Sequence, residues 1–417
     1  MSSRLISFPV INRDRLIHSI EELAQIGQIG SGGVRRLAFS AEDICARNLV
    51  QHWMTEAGMI VRVDAAGNII GRSSGLLPEA PALATGSHID TVPTGGRYDG
   101  ALGVLAGLEV ARVLQEQNLR LNHPFEVIVF SDEESSMIGS KAISGRTVAD
   151  PTGYVTLEGI NIQSCLEQVG GSWGDLHLAQ RHRQDMVAFL ELHVEQGPML
   201  ESLGQEIGVV TGIVGQRRYL ITVRGRASHA GSTPMSMRQD AMVAAAQIVL
   251  AVNRLANAHG EQVATVGQLQ VFPNAANVIP GRVEMSLDIR DLSNDRIDEL
   301  LNQLQREIAT IAAQTGTEID SQIRLRNEPA PAQEHIQQAI VQVCETLGLG
   351  YHHLPSRASH DAQEMAAFTD MGMIFVPSQA GISHSATEYT TPEQCVQGTT
   401  VLLHTLLALD QYYAGGR

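Results

Sequence analysis

The stretch PALATGSHIDTVPTGGRYDGALGVLAGLEVARVLQEQNLRLNHPFEVIVFSDEE, residues 81–134, decides the fold. Its first ten residues, PALATGSHID (81–90), form a short apolar run that ends in polar side chains, the signature of a strand buried on both faces. DGALGVLAGLEVARVLQEQ (99–117) reads as an amphipathic helix, and PFEVIVFSDEE (124–134) as a second buried strand. Strand, helix and strand in this order predict an α/β sheet covered on both faces.

Working outward, the same rhythm holds on either side. Helices are predicted over 15–26 and 40–58, a hairpin in VRVDAAGNIIGRSSG (61–75), and a third buried strand in DMVAFLELHVEQG (185–197). From residue 215 the rhythm changes. RRYLITVRGR (217–226), a helix over 237–256, ATVGQLQVFP (264–273), RVEMSLDIRD (282–291), a helix over 293–316 and EIDSQIRLRN (318–327) spell β-α-β-β-α-β, a ferredoxin-like unit. Pro329-Ala330-Pro331 reads as a linker, after which α/β alternation resumes. There a helix over 333–347, a helical stretch over 361–368, the strand MGMIFVPS (371–378) and a helix over 392–412 follow. The expected division is a catalytic domain over 1–213 and 331–417 interrupted by an inserted domain over 214–330.

Composition excludes several classes of function. With 29 basic and 45 acidic residues the net charge is −16, the wrong sign for binding a phosphate backbone, so nucleic acid is not expected as a partner. Lys141 is the only lysine, and there is no G-x-x-x-x-G-K-[ST], which argues against nucleotide hydrolysis and Schiff-base chemistry. The four cysteines form no C-x-x-C, so neither a disulfide framework nor a thiolate zinc site is expected. MSSRLISFPVINRDRL (1–16) lacks a continuous apolar stretch and a small-residue cleavage site, and no run reads as long enough to span a bilayer. A cytoplasmic protein with no membrane partner is expected. The insert holds twelve arginines and twelve acidic residues, so the remaining chain carries the whole negative charge. A neutral, arginine-bearing lid suits an anionic substrate.

Five residues able to bind metal lie at the ends of these elements: His88, Asp99, Glu134, His193 and His384. Open α/β sheets build their sites where strands end, and separate strands that deliver imidazole and carboxylate to one edge suggest an assembled two-metal site. Asp90, two residues after His88, is placed to accept the second imidazole N–H. Asp99 alone also reads as a helix N-cap. Glu133 and Glu134 close the run EVIVF, so that one carboxylate can bind metal while its neighbour faces the reacting centre as a base. His229 alone reads as a turn residue in a Ser-, Gly- and Pro-rich loop.

GSHIDTVPTGGRYDG, FSDEE, ELHVEQGPMLE, SHAGSTPM, NVIPGRVEMSLDIRD and SHS together resemble the dinuclear-metal exopeptidase superfamily, in its amidase, hydantoinase and carbamoylase branch. This branch contains N-carbamoyl-L-amino-acid hydrolases, β-ureidopropionases, and allantoate and ureidoglycolate amidohydrolases. The resemblance implies a mixed-sheet, zinc-exopeptidase-like α/β catalytic domain with an inserted ferredoxin-like α+β lid and dimerisation domain. It implies one metal at His88, Asp99 and His193 and a second at Asp99, Glu134 and His384, with Zn or Mn as the first choice and Co or Ni as alternatives. Glu133 becomes the general base and His229 an oxyanion-stabilising group that serves the partner of a homodimer. Gln196, Asn277 and Arg290 become substrate-binding residues, Arg290 for a carboxylate.

GQRRY (215–219) resembles the allantoate enzymes, in which the position of Arg218 contacts substrate, and allantoate is the expected substrate on that ground. N-carbamoyl-L-amino acids, ureidoglycolate and N-carbamoyl-β-alanine are the alternatives, with peptides after them. The chain departs from the branch where Glu134 runs straight into SSMIGS instead of a longer E-E-G-x-R-F segment. It departs again in SRASHDA (356–362), which resembles the ureidoglycolate enzymes as much as the S-G-A-G-H-D version and places Arg357 near the expected carboxylate end.

Overall fold

The computed structural model describes residues 9–30, 32–258, 260 and 262–415. Half of the amino-terminal run, residues 1–8, lies outside them. The chain divides into two compact units, Met1–Gly212 with Pro331–Arg417, and Ile213–Ala330.

The larger unit is built on a mixed nine-stranded sheet. Its centre is four parallel strands in the spatial order Phe125–Phe130, Ala82–His88, Met186–Val194 and Asp370–Val376. Three of the four are buried at every residue, as their near-continuous apolar sequences require when helices cover both faces. The antiparallel hairpin Ile60–Val63 and Ile69–Ser73 flanks one side, and Ile207–Ile213 the other. Register places His88 beside Phe130 and His193 beside Phe375, so all four parallel strands end along one edge.

Helix Ala101–Glu116 is buried along nearly its whole length, which its alanines, leucines and valines permit. Gly103 and Gly107 let it approach the sheet closely, since a Cβ at Gly103 would lie 2.4 Å from the Leu192 carbonyl oxygen. Helix Arg13–Gln25 begins two residues before the expected 15 because the Asn12 side chain accepts the Arg15 N–H.

The smaller unit is an antiparallel sheet in the order Leu269–Phe272, Arg282–Asp291, Gly215–Arg224 and Glu318–Asn327, with helices Ala241–Ala258 and Asn294–Thr315. The single strand expected over 264–273 is two, Val263–Thr265 and Leu269–Phe272, both paired to Arg282–Asp291. Between them Gln268 donates its backbone N–H to the Ser286 hydroxyl.

One expectation needs correction here. Helix Ala241–Ala258, of mean hydropathy 1.3, is long and apolar enough to cross a membrane by length and composition alone. In the structure its Ala244, Ala245, Ile248, Val252 and Leu255 follow the helical repeat into the core formed with Ile221, Val283 and Met285. The expected linker contains a two-residue strand, Ala330–Pro331, at one end of the nine-stranded sheet.

Candidate metal centre

All five candidate ligands gather at the edge where the parallel strands end. His88 closes its strand, His193 is the penultimate residue of the next, and Glu134 lies four residues beyond Phe130. His384 arrives from the segment after Asp370–Val376 with φ of 52°. Donor atoms of His88, Asp99 and His193 lie within 4.8 Å of one another, and so do those of Asp99, Glu134 and His384. Asp99 belongs to both groups: Oδ1 is 3.1 Å from His193 Nε2 and 3.8 Å from His88 Nε2, while Oδ2 is 3.2 Å from His384 Nε2. Asp99 is not the helix N-cap; that position is Gly100, with φ of 64° and no side-chain cap.

Glu133 stands beside the first group, with Oε2 3.6 Å from His88 Nε2, while Glu134 Oε2 is 3.5 Å from His384 Nε2. Among the described residues, none of Asp90, Asp99, Glu133 and Glu134 has an arginine or lysine within ion-pair distance. Burial first, then repulsion from Asp361, Glu134 and Asp90, lifts the Glu133 carboxyl well above its usual range. Burial and the nearby Asp99 push Glu134 up to about 8. Asp99, against the opposing effect of burial, is held well below the usual carboxylate range by His193 and His384. Burial lowers His88 to about 4, whereas His193, despite burial, is raised to about 9 by Asp99, and the Asp99 contact raises His384 to about 9. Crowded carboxylates with imidazoles, and no arginine or lysine ion-paired to them among the described residues, are a donor set suited to divalent metal, and two triads sharing one carboxylate suit two ions.

The surroundings correct one expectation and add residues that the motifs did not reveal. The Asp90 carboxylate does not take the His88 N–H: Nδ1 lies 3.0 Å from the Asp90 backbone oxygen and 3.7 Å from Oδ1. The strand stops at His88, so its two-residue alternation does not extend to Asp90, and Asp90 Oδ2 instead accepts the Glu134 backbone N–H at 3.2 Å. Asp99 is supported from a distance in sequence. Ser383 Oγ lies 3.0 Å from Asp99 Oδ2 and 2.8 Å from Glu388 Oε2, so its one hydroxyl proton is shared between the two carboxylates, and Glu388 Oε1 accepts the backbone N–H groups of Tyr98 and Asp99. Buried Arg36 donates to the carbonyl of Ile89, which lies between His88 and Asp90, at 2.7 Å. Glu191, fully buried, accepts from Ser87 Oγ at 2.6 Å and from the Ala362 N–H at 3.0 Å, and so ties the His88 strand to the segment that carries His360.

The expected substrate residues fall into two groups. Gln196, with φ of 57°, places Nε2 2.9 Å from Asp99 Oδ2 and 3.3 Å from His384 Nε2. The other four belong to the smaller unit. Asp288 gathers two of them: Arg290 Nε donates to its Oδ1 at 2.9 Å and Arg218 Nη2 to its Oδ2 at 3.1 Å. His229 is exposed and pairs with Val278, next to Asn277, whose carbonyl accepts the Ala230 N–H. Its Nδ1 accepts the backbone N–H groups of Gly231 and Ser232, so the proton of the neutral ring sits on Nε2.

The model of peptidase family M20/M25/M40 matches residues 84–408. An N-carbamoyl-L-amino acid amidohydrolase of Geobacillus stearothermophilus is 42% identical over 407 residues, covering 96% of this chain and all of that protein. An allantoate amidohydrolase of Bacillus subtilis is 35% identical over 94% of this chain and 96% of its own length. Among solved structures, an amidase of the hydantoinase/carbamoylase family from Burkholderia multivorans superposes with a TM-score of 0.89 at 37% identity, covering 96% of this chain and 98% of that one.

Proposed function

The chain belongs to peptidase family M20/M25/M40, and from that premise we propose that it is a metal-dependent amidohydrolase cleaving the carbamoyl C–N bond of an N-carbamoyl-L-amino acid. The observation that carries this reading is Asp99 lying between two donor triads, with Glu133 beside them. In this reading His88, Asp99 and His193 hold one ion, Asp99, Glu134 and His384 the other. When bound, two divalent cations supply Lewis acidity toward the ureido oxygen and the attacking water. Glu133 takes a proton from that water and returns it to the leaving nitrogen.

The smaller unit supplies most of the recognition residues in the proposed enzyme. Arg290 offers a planar fork to a carboxylate, while Gln196 and Asn277 orient the ureido group. His229, with its proton on the exposed Nε2, donates to the developing oxyanion of a partner subunit's site. Exposed Met235, Met237 and Leu250 on the same unit, 76%, 72% and 70% accessible, support a homodimer formed through it.

The 42% relative favours N-carbamoyl-L-amino acids over the allantoate suggested by GQRRY. Allantoate stands as the second reading because Arg218 and Arg290 share Asp288, which supports two guanidinium groups acting together. Ammonia release from allantoate, ureidoglycolate, N-carbamoyl-β-alanine and several N-carbamoyl-L-amino acids tests both, with Glu133→Gln as the control. Protein loaded with Mn²⁺, Zn²⁺ or Co²⁺ that hydrolyses none of them would overturn the reading.

A further inference from the structure

Away from the metal centre, at the end of the sheet where Phe125–Phe130 begins, lies a cavity of about 470 Å³. Its apolar side includes the buried side chains of Leu114 and Phe125, and its polar side includes Ser73, Ser74, Asn118, Arg120 and His123. This mixture of an apolar wall and a few convergent polar groups is the usual make-up of a small-molecule site.

Two features give the cavity a chemical preference. His123 is held by Asp410, 287 positions away: Nδ1 donates to Oδ1 at 2.8 Å, and the His123 backbone N–H donates to the same oxygen at 2.9 Å. Asp410 is further fixed by the backbone and side-chain amides of Asn122. A carboxylate can only accept, so Nδ1 carries the proton of the neutral ring, and in that tautomer Nε2, which has no hydrogen-bond partner among the described residues, is left as an acceptor. Arg120 is the one cation lining the cavity, no carboxylate lines it, and the guanidinium has no ion pair among the described residues.

We infer that this cavity binds a small carboxylic acid with an apolar body and an N–H donor, the carboxylate on Arg120 and the N–H on His123 Nε2. Amino acids and their N-acyl derivatives have this chemistry. The inference stands apart from the hydrolytic reading, because binding here needs no turnover.

Calorimetric titration of the metal-loaded full chain tests it with L-leucine, N-acetyl-L-leucine and 4-methylpentanoate, the last of which lacks the N–H. Arg120 is exposed and without an ion pair, so Arg120→Gln should fold normally; it should weaken binding of the N–H-bearing acids by about tenfold or more, as loss of a charge-assisted contact does. Arg120→Lys should restore part of the affinity, and 4-methylpentanoate should bind more weakly than N-acetyl-L-leucine. Asp99→Ala, which removes the metal centre, should leave this binding in place. Equal affinity in Arg120→Gln and the wild type would overturn the inference, as would loss of binding in Asp99→Ala alone, which would place the ligand at the metals.

Discussion

Glu388 Oε1 accepts the backbone N–H of Asp99 at 3.1 Å across a separation of 289 residues, so the carboxylate common to both candidate triads is held from the far end of the chain. Through Ser383, the other oxygen of Glu388 also reaches the Asp99 side chain. Glu388→Ala removes the acceptor of two buried N–H groups and the support of Ser383. Loss of such a partner behind a ligand is expected to reduce metal affinity or kcat about 10- to 100-fold. Metal titration of the purified variant, together with its turnover, checks this; unchanged values in both would remove Glu388 from that role.

Glu133 and Glu134 are adjacent but predicted to fail differently. Glu133→Gln should retain two metals per subunit while kcat falls about 10²- to 10⁴-fold, the range for a missing general base. Glu134→Gln should lose metal from the His384 side. Elemental analysis beside kinetics separates the two, and a Glu133→Gln protein that loses metal would mean that the assignments are exchanged.

Chelation should abolish hydrolysis and lower the melting temperature together, since ions bound only by the folded state stabilise it. Restored activity and melting temperature on adding Mn²⁺, Zn²⁺ or Co²⁺ is the expected outcome. A melting temperature indifferent to chelator would count against both donor triads as metal sites.

Arg290→Lys keeps the charge but loses the fork, and is expected to raise KM about tenfold or more, with a smaller effect on kcat. Arg218→Leu separates the two substrate readings. It should spare N-carbamoyl-L-amino acids and depress allantoate if Arg218 acts only on the larger substrate, as steady-state kinetics on both compounds would reveal.

Asp43 tests the electrostatics of the fold away from the metals. Burial chiefly pushes its carboxyl up to about 6, above the ordinary value of 3.8, with Arg47 opposing. Raised in the folded state, the group favours folding when protonated, so this contribution is present below the ordinary value and lost as pH rises through about 6. Asp43→Asn keeps an acceptor for the Phe39 N–H and should be more stable than the wild type above pH 6, by an amount on the order of 3 kcal/mol at most. Denaturant melts at pH 4 and pH 7.5 measure it, and a variant less stable at both would show that the Arg47 attraction wins.

The parallel strands were legible because burial on both faces leaves continuous apolar runs, and His88, Glu134 and His193 could be found because polar side chains terminate those runs. Asp99 and His384 needed the other ligands before they stood out from a helix start and a serine-rich loop. Glu388, Ser383 and Arg36 carry no local signature: the groups by which they support the site, Asp99 and the Ile89 carbonyl, lie far away in sequence, and nothing in a linear pattern marks such pairs. Asp288 sits in the alternating strand RVEMSLDIRD, where an outward acid reads as solvated until Arg218 is seen beside it in register. Helices Ile138–Ile143 and Ile162–Gln168 escaped because six and seven residues span too few turns for a 3.6-residue repeat to emerge. Strand Ile207–Ile213 escaped as well, because only Val214 separates it from Gly215–Arg224 and no loop marks its end.

The interrupted layout of the larger unit also sets an order of assembly on the ribosome. Residues 213–330 are contiguous and hold their own core, so they can fold as soon as they emerge. Strand Met186–Val194 must wait for Asp370–Val376, its parallel neighbour, and His384 is translated later still. Until then one flank of Met186–Val194 is an unpaired edge, the state in which a nascent chain is most exposed to misassociation. A chain truncated before residue 370 would therefore carry four of the five candidate ligands on an unfinished sheet, and the emergence of residues 370–384 is the event that completes both sheet and site.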